Sequence, residues 1–223
     1  MVMEVVTSGK TVEKTNKQNT FYVVRPQIRD KRTYTVFKRI FDMVISFIGI
    51  VVLALPMVII ALAIIIDSNG NPIFRQERLG KNGKPFIMLK FRSMYVDAEK
   101  GGPQWADVND KRCTKLGYYL RKSRLDELPQ LWNILKGEMS FVGPRPERRY
   151  FYEEFEKYII GFSNRLVVTP GLTGYAQVMG GYELKPEEKI VYDMKYIECR
   201  SLRMDLMCIM RTIGVVLKKN GAR

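Results

Sequence analysis

The longest apolar run in the chain lies between Ile40 and Ile66, where only Asp42 and Ser46 carry polar side chains. As one straight helix it measures roughly 40 Å at about 1.5 Å per residue, more than the roughly 30 Å of a bilayer's hydrocarbon core. Pro56 sits inside it. Proline lacks an N–H and clashes with the carbonyl of the preceding turn, so it kinks or breaks a helix. Basic residues flank both ends, Lys31, Arg32, Lys38 and Arg39 before and Arg75, Arg78, Lys81 and Lys84 after, and positive flanks favour the cytoplasmic side. Two readings fit. One is a single kinked span. The other is a re-entrant helix-break-helix that enters and leaves by one face, its break at Pro56 satisfied by Ser46 or by neighbouring helices. The polar stretch ahead of the run argues against a cleaved signal peptide.

Elsewhere the pattern predicts an α+β, predominantly helical chain. Residues 1–30 are polar, basic and patternless, the mark of a mobile tail. Residues 31–67 form a basic interfacial start and the membrane segment, and 68–223 the domain that follows it. Within it, Ile73–Met94 alternates around a glycine-bearing turn at Gly80–Gly83 and predicts a small β-hairpin. Glu99–Arg112 reads as loop. Lys115–Gly137 is helical at both ends; Leu128, Leu131, Trp132 and Leu135 mark one buried face, and Gly137 a C-terminal stop. The last helix, Ser201–Lys219, carries Leu202, Leu206, Ile209, Ile213 and Val216 on one stripe interrupted by charges. It is an amphipathic helix for the membrane interface or for the core.

A formal net charge of +14 implies anionic partners: phosphates, nucleotides or lipid headgroups. No nucleic-acid motif accompanies it. The three cysteines show no paired spacing, and there is no histidine. That absence removes Ser-His-Asp, Cys-His and His-zinc chemistry, and leaves carboxylates, Lys, Arg, Tyr or Ser.

Asp126 and Glu127 are adjacent acids in "KSRLDELPQLWN". Ser123 with Asp126 resembles a capping box, and Pro129 suits a first helical turn. Acids there complement the helix dipole; equally, one carboxylate can attack phosphorus while its neighbour holds Mg²⁺. Lys90 and Arg92 in "KFRSM" form a candidate phosphate clamp. Arg145, stiffened by Pro144 and Pro146, suits bidentate phosphate recognition. Arg121 is a charge partner for the acids.

Taken in order, "KRIFD", "PIFRQERLGKNGKPF", "KFRSM", "RLDELPQLWNILKGEMSFVGPRP", "TPGLTGYAQV" and "YDMKYIECRSLRMDL" resemble the bacterial sugar transferases of the monotopic polyprenyl-phosphate phosphoglycosyl transferase type over residues 34–218. The resemblance implies a re-entrant anchor in the bacterial plasma (inner) membrane and a cytoplasmic catalytic domain. It implies transfer of a phosphosugar from a UDP-sugar to polyprenyl (undecaprenyl) phosphate with release of UMP, which begins exopolysaccharide, capsule or glycoconjugate synthesis. It makes Asp126 the nucleophile of a covalent aspartyl-phosphosugar intermediate and Glu127 the Mg²⁺ ligand. Lys90 and Arg121 become phosphate holders, with Arg145 and Asp193 at matched positions. Leu55 stands where relatives commonly place Ser before the proline, Cys199-Arg200-Ser201 where many show "NWS", and Gly181 where some carry Arg. The rival reading is a non-catalytic, basic membrane adaptor of polysaccharide assembly. The sugar and the oligomeric state, homo-oligomer or not, stay open.

Overall fold

A computed structural model of the chain describes residues 12–15, 20–26, 31–100, 102, 110–180 and 184–217. Most of the expected loop at Glu99–Arg112, and Gly181, lie outside these residues, as does the side chain of Val216. In chain order the elements are β1 (Val12–Thr15), β2 (Thr20–Val23), α1 (Arg32–Asp67), β3 (Ile73–Leu79), β4 (Pro85–Phe91), α2 (Lys115–Ser123), α3 (Gln130–Lys136), β5 (Ser140–Val142), α4 (Arg149–Glu156), β6 (Ile159–Ile160), β7 (Gly171–Thr173), α5 (Tyr175–Gly180), α6 (Pro186–Cys199) and α7 (Leu202–Leu217). Helices dominate, and the sheets are small.

α1 is 36 residues long and helical throughout, Pro56 included. Pro56 therefore does not divide it into two helices separated by non-helical residues. Nor does Ser46 serve the proline: it is fully buried well before it, and its Oγ donates to the Met43 carbonyl at 3.1 Å.

The folded domain holds this helix along its whole length. At its start, Lys31 Nζ donates to the Arg200 carbonyl (2.7 Å), and Tyr34 Oη and Lys38 Nζ each donate to Asp205 at 2.8 Å. Arg39 donates to the carbonyls of Ile134 and Leu135, both at 2.7 Å, which answers the open carbonyls at the end of α3. Asp42 accepts from the Phe141 N–H at 3.1 Å. Further along, Gly49 lies against Leu131, Ile50 and Leu53 pack on the Phe86–Met88–Ile134 cluster, and Met57, Ile60 and Ile64 pack on Phe91 and Leu120. At its far end, Arg92 donates to the carbonyls of Ser68 (2.5 Å) and Asn69 (2.9 Å). The opposite face is apolar and bare, with Leu55 70 % and Ile66 87 % exposed. An apolar strip of this size on a protein surface marks contact with lipid or another protein.

The hairpin forms as the alternation predicts. β3 and β4 pair antiparallel from Ile73↔Phe91 to Leu79↔Pro85, and the turn places Asn82 and Gly83 at φ of 57° and 73°. Part of the expected mobile tail is fold: β1 pairs with β2, β2 runs parallel to β6, and Val23 is buried in the core of Tyr152, Ile159, Phe162 and α6. On α3 the buried face is Gln130, Leu131, Asn133 and Ile134, while Trp132 is 47 % exposed. The reason is Asn133, whose side chain donates to the Ile87 carbonyl (2.8 Å) and accepts from the Leu89 N–H (3.0 Å), turning a polar residue toward β4. Gly137 stops α3 at φ 88°. On α7 the apolar stripe mostly faces out: Leu202, Leu206 and Ile213 are exposed, Ile209 is partly buried, and Asp205 and Cys208 face in.

Gly117, in the first turn of α2, lies so close to β4's exit that a Cβ there would sit 2.0 Å from the Ser93 carbonyl oxygen. Gly117→Ala should cost about 1–3 kcal/mol as an overpacking change. Thermal unfolding in detergent should show a fall of about 2–4 °C per kcal/mol for a chain this size; an unchanged Tm would show that this approach is not tight.

Candidate active site

The acids reach their positions through a local reversal of the chain. α2 ends at Arg124, a non-glycine residue at φ 62°, and Leu125–Glu127 follow as a 3₁₀ turn leading into α3 at Pro129. The expected capping box does not form. Ser123 Oγ instead donates backward, to the carbonyls of Tyr119 (2.8 Å) and Leu120 (3.2 Å). Both acids are buried, Asp126 6 % and Glu127 9 % exposed.

β4 brings Lys90 to them, and the Pro144–Pro146 loop brings Arg145. Lys90 Nζ lies 3.2 Å from Glu127 Oε1 and 4.0 Å from Asp126 Oδ2. Arg145 Nη2 donates to the same Glu127 oxygen at 2.5 Å, and Arg165 holds the Arg145 carbonyl at 3.0 Å. The two neighbours therefore differ in electrostatics. Burial works against ionised Glu127, yet Arg145, Lys90 and Arg124 outweigh it and hold that carboxyl well below the usual range. Burial pushes Asp126 up, and the repulsion of Glu127 adds to it; the more distant Lys90 offsets this only in part. Lys90 itself is pushed down by burial, against the pull of Glu127.

Asp126 and Glu127 line a cleft of about 570 Å³ ringed by Arg75, Arg78, Lys90, Arg121, Arg124, Arg145, Arg148 and Lys189. Of the residues expected from sequence, Lys90, Asp126, Glu127 and Arg145 come together. Arg121 lines the cleft and donates to Cys113 Sγ at 3.4 Å. Arg92 reaches the cleft wall, but its guanidinium caps α1, so it is no phosphate clamp. Asp193 does not line the cleft; it is fully buried and pairs with Arg165 at 2.6 Å. Glu147 was missed by the sequence reading. It joins Lys189 (2.6 Å) and Arg78 (3.1 Å), which overcome its burial and lower its carboxyl to about 2. Arg75, Arg78, Arg124, Arg148 and Lys189 were missed too, although Arg75 and Arg78 lie on the expected hairpin, opposite Leu89 and Phe86.

The bacterial sugar transferase family profile matches residues 33–219. A UDP-N-acetylgalactosamine-undecaprenyl-phosphate N-acetylgalactosaminephosphotransferase of Aeromonas hydrophila is 40 % identical over 193 residues, 85 % of this chain and 46 % of its own length. A UDP-glucose:undecaprenyl-phosphate glucose-1-phosphate transferase of Klebsiella pneumoniae is 41 % identical over 80 % of this chain and 39 % of its own. A shorter Bacillus subtilis protein, a putative undecaprenyl-phosphate N-acetylgalactosaminyl 1-phosphate transferase by name, is 48 % identical over 60 % of this chain and 74 % of its own. The chain thus spans less than half of the two longer relatives.

The opposite shifts of the two acids predict opposite effects on stability. Glu127, depressed, stabilises the fold above its ordinary pKa and loses that contribution as pH falls through the folded value. Asp126, raised, is penalised when ionised, so stability falls as pH rises past its ordinary value. At neutral pH, Glu127→Gln should destabilise the fold, by up to the roughly 3–5 kcal/mol of a broken buried pair, and lower Tm, whereas Asp126→Asn should raise Tm. Equal losses in both variants would contradict this assignment.

Proposed function

We propose that this chain, which belongs to the bacterial sugar transferase family, is a phosphoglycosyl transferase that moves a phosphosugar from a UDP-sugar to undecaprenyl phosphate. The observation that carries the reading is the pair of adjacent buried carboxylates of opposite proton affinity, set in a cleft ringed by cations. The relatives' names supply the class of donor and the acceptor, and they differ in the sugar.

Asp126 is the nucleophile. Its oxygen forms a bond to the sugar-bearing phosphorus as the P–O–P bond breaks, and UMP leaves. An oxygen of the lipid phosphate then bonds to that phosphorus, the bond to Asp126 breaks, and the carboxylate is restored. A carboxylate raised in pKa is the more basic and the more reactive of the two. Glu127 stays ionised, bound to Arg145 and Lys90, and does not compete for the role. Lys90 lines the cleft beside both acids, where an entering phosphate shares its charge. Mg²⁺ fits this donor set as an ion held by Glu127 and the donor's phosphates rather than by an all-protein cage; among the described residues no three acidic, Cys or His side chains group to form one. Bound there, the ion supplies charge neutralisation for the attack of one anion on another.

The anchoring of α1 at both ends supports a monotopic placement, with the helix dipping into one leaflet of the plasma membrane beside the domain. A UDP-sugar is a cytosolic donor, so the cleft faces the cytoplasm, in keeping with basic residues on both flanks of α1.

Purified protein incubated with Mg²⁺ and a panel of UDP-sugars should yield an Asp126 peptide heavier by one phosphosugar. Asp126→Asn should abolish both adduct and UMP release. Near-normal UMP release from that variant would sink the mechanism and favour the adaptor reading. Because Asp126 acts ionised with a raised pKa, the donor half-reaction should lose rate toward acid at a pH above the ordinary aspartate value. Lys90→Met removes the cation that lowers it, so the acid limb should move to higher pH.

A further inference from the structure

A second cavity, of about 220 Å³, lies behind the first. Its wall is formed by Leu128, Leu131, Phe141, Leu172, Val178 and Ile209, from the turn before α3, α3, β5, β7, α5 and α7. The two hydroxyls in that wall do not solicit a polar ligand: Thr173 and Thr212 bond each other at 2.7 Å, and Thr212 donates to the Cys208 carbonyl at 2.7 Å. The cavity is therefore apolar in effect. At one end it shares Arg124, Glu127 and Gln177 with the cation-ringed cleft. At the other it is bounded by Ile213, 48 % exposed on α7. Beyond Ile213 the outward stripe of α7 continues through Met210, Leu206 and Leu202, 60 %, 60 % and 53 % exposed.

We propose that this cavity seats the first part of the acceptor's isoprenoid chain, with its phosphate delivered at Arg124 to the junction of the two cavities. The proposal rests on the transferase reading above and names the subsite for its second substrate. A polar cleft meeting an apolar cavity at a cation and a carboxylate matches an amphiphile with an anionic head and a hydrocarbon tail. At about 220 Å³ the cavity takes only the head-proximal part of an undecaprenyl chain. The remainder of so long a chain must leave past Ile213 and lie along the bare stripe of α7, where the lipid begins. The two substrates then approach Asp126 from opposite directions. The nucleotide enters from the aqueous cleft and the lipid from the apolar side, so the acceptor oxygen reaches the phosphorus after UMP has left without crossing the nucleotide's path.

Val178→Phe and Ile213→Trp narrow the cavity from two sides without touching the acids. In the full chain in detergent, the KM for undecaprenyl phosphate should rise about tenfold or more in each variant. The Asp126 adduct formed from donor alone should reach its normal yield, which also reports that the variants are folded. A two-isoprene phosphate should be used equally well by wild type at high concentration and less well by the variants. A benzophenone-bearing polyprenyl phosphate should crosslink to α5 or α7. An unchanged KM for the long acceptor, or crosslinks confined to the exposed face of α1, would overturn the proposal. Failure of wild type to form the adduct would instead overturn the transferase reading beneath it, a separate result from the same set of measurements.

Discussion

The structure depends on α1 being tied to one domain at both of its ends. Asp205 gathers Tyr34 and Lys38 at the start, with Tyr196 donating to its other oxygen at 2.8 Å. Arg92 gathers the carbonyls at the finish. A helix fastened at one end can pass through a bilayer and leave its domain behind. Fastened at both, α1 lies against the surface of that domain with its other, apolar side bare. An unpaired buried Asp205 would cost on the order of several kcal/mol. The other bare apolar stripe is on α7, whose Asp205 faces inward and pairs with α1.

Behind that surface the cleft accumulates positive charge without carrying it as dead weight. Glu127 and Glu147 each take two cations, and Arg165 balances Asp193 while stacking 5.1 Å from the Phe162 ring. These pairs preorganise the guanidinium groups before any ligand arrives. Asp126 is held more loosely: Lys90 Nζ lies 4.0 Å from its Oδ2. Burial holds its carboxyl above the usual range, the opposite of Glu127 and Glu147.

What could be read from the sequence was local. The hairpin followed from alternation around Asn82 and Gly83, α3's stop from Gly137, and the meeting of Lys90, Arg145 and the two acids from their chemistry. What could not be read was non-local or polar. Val23's strand pairs with Ile159 far along the chain. Arg92 looked like a clamp because nothing in "KFRSM" reveals the helix end that it caps. The buried face of α3 was misread because Asn133 and Gln130, not Trp132, point inward. At Pro56 the backbone stays helical, and the packing of Gly49, Met57, Ile60 and Ile64 on the domain is likewise something no proline rule contains.

The most direct test places single cysteines at the exposed positions Thr33 and Lys81, before and after α1, in a chain whose Cys113, Cys199 and Cys208 have been replaced. A membrane-impermeant maleimide applied to sealed cells and to inverted vesicles reports the side of each. Labelling of both positions from the same side is the predicted result; labelling of the two from opposite sides would contradict the account.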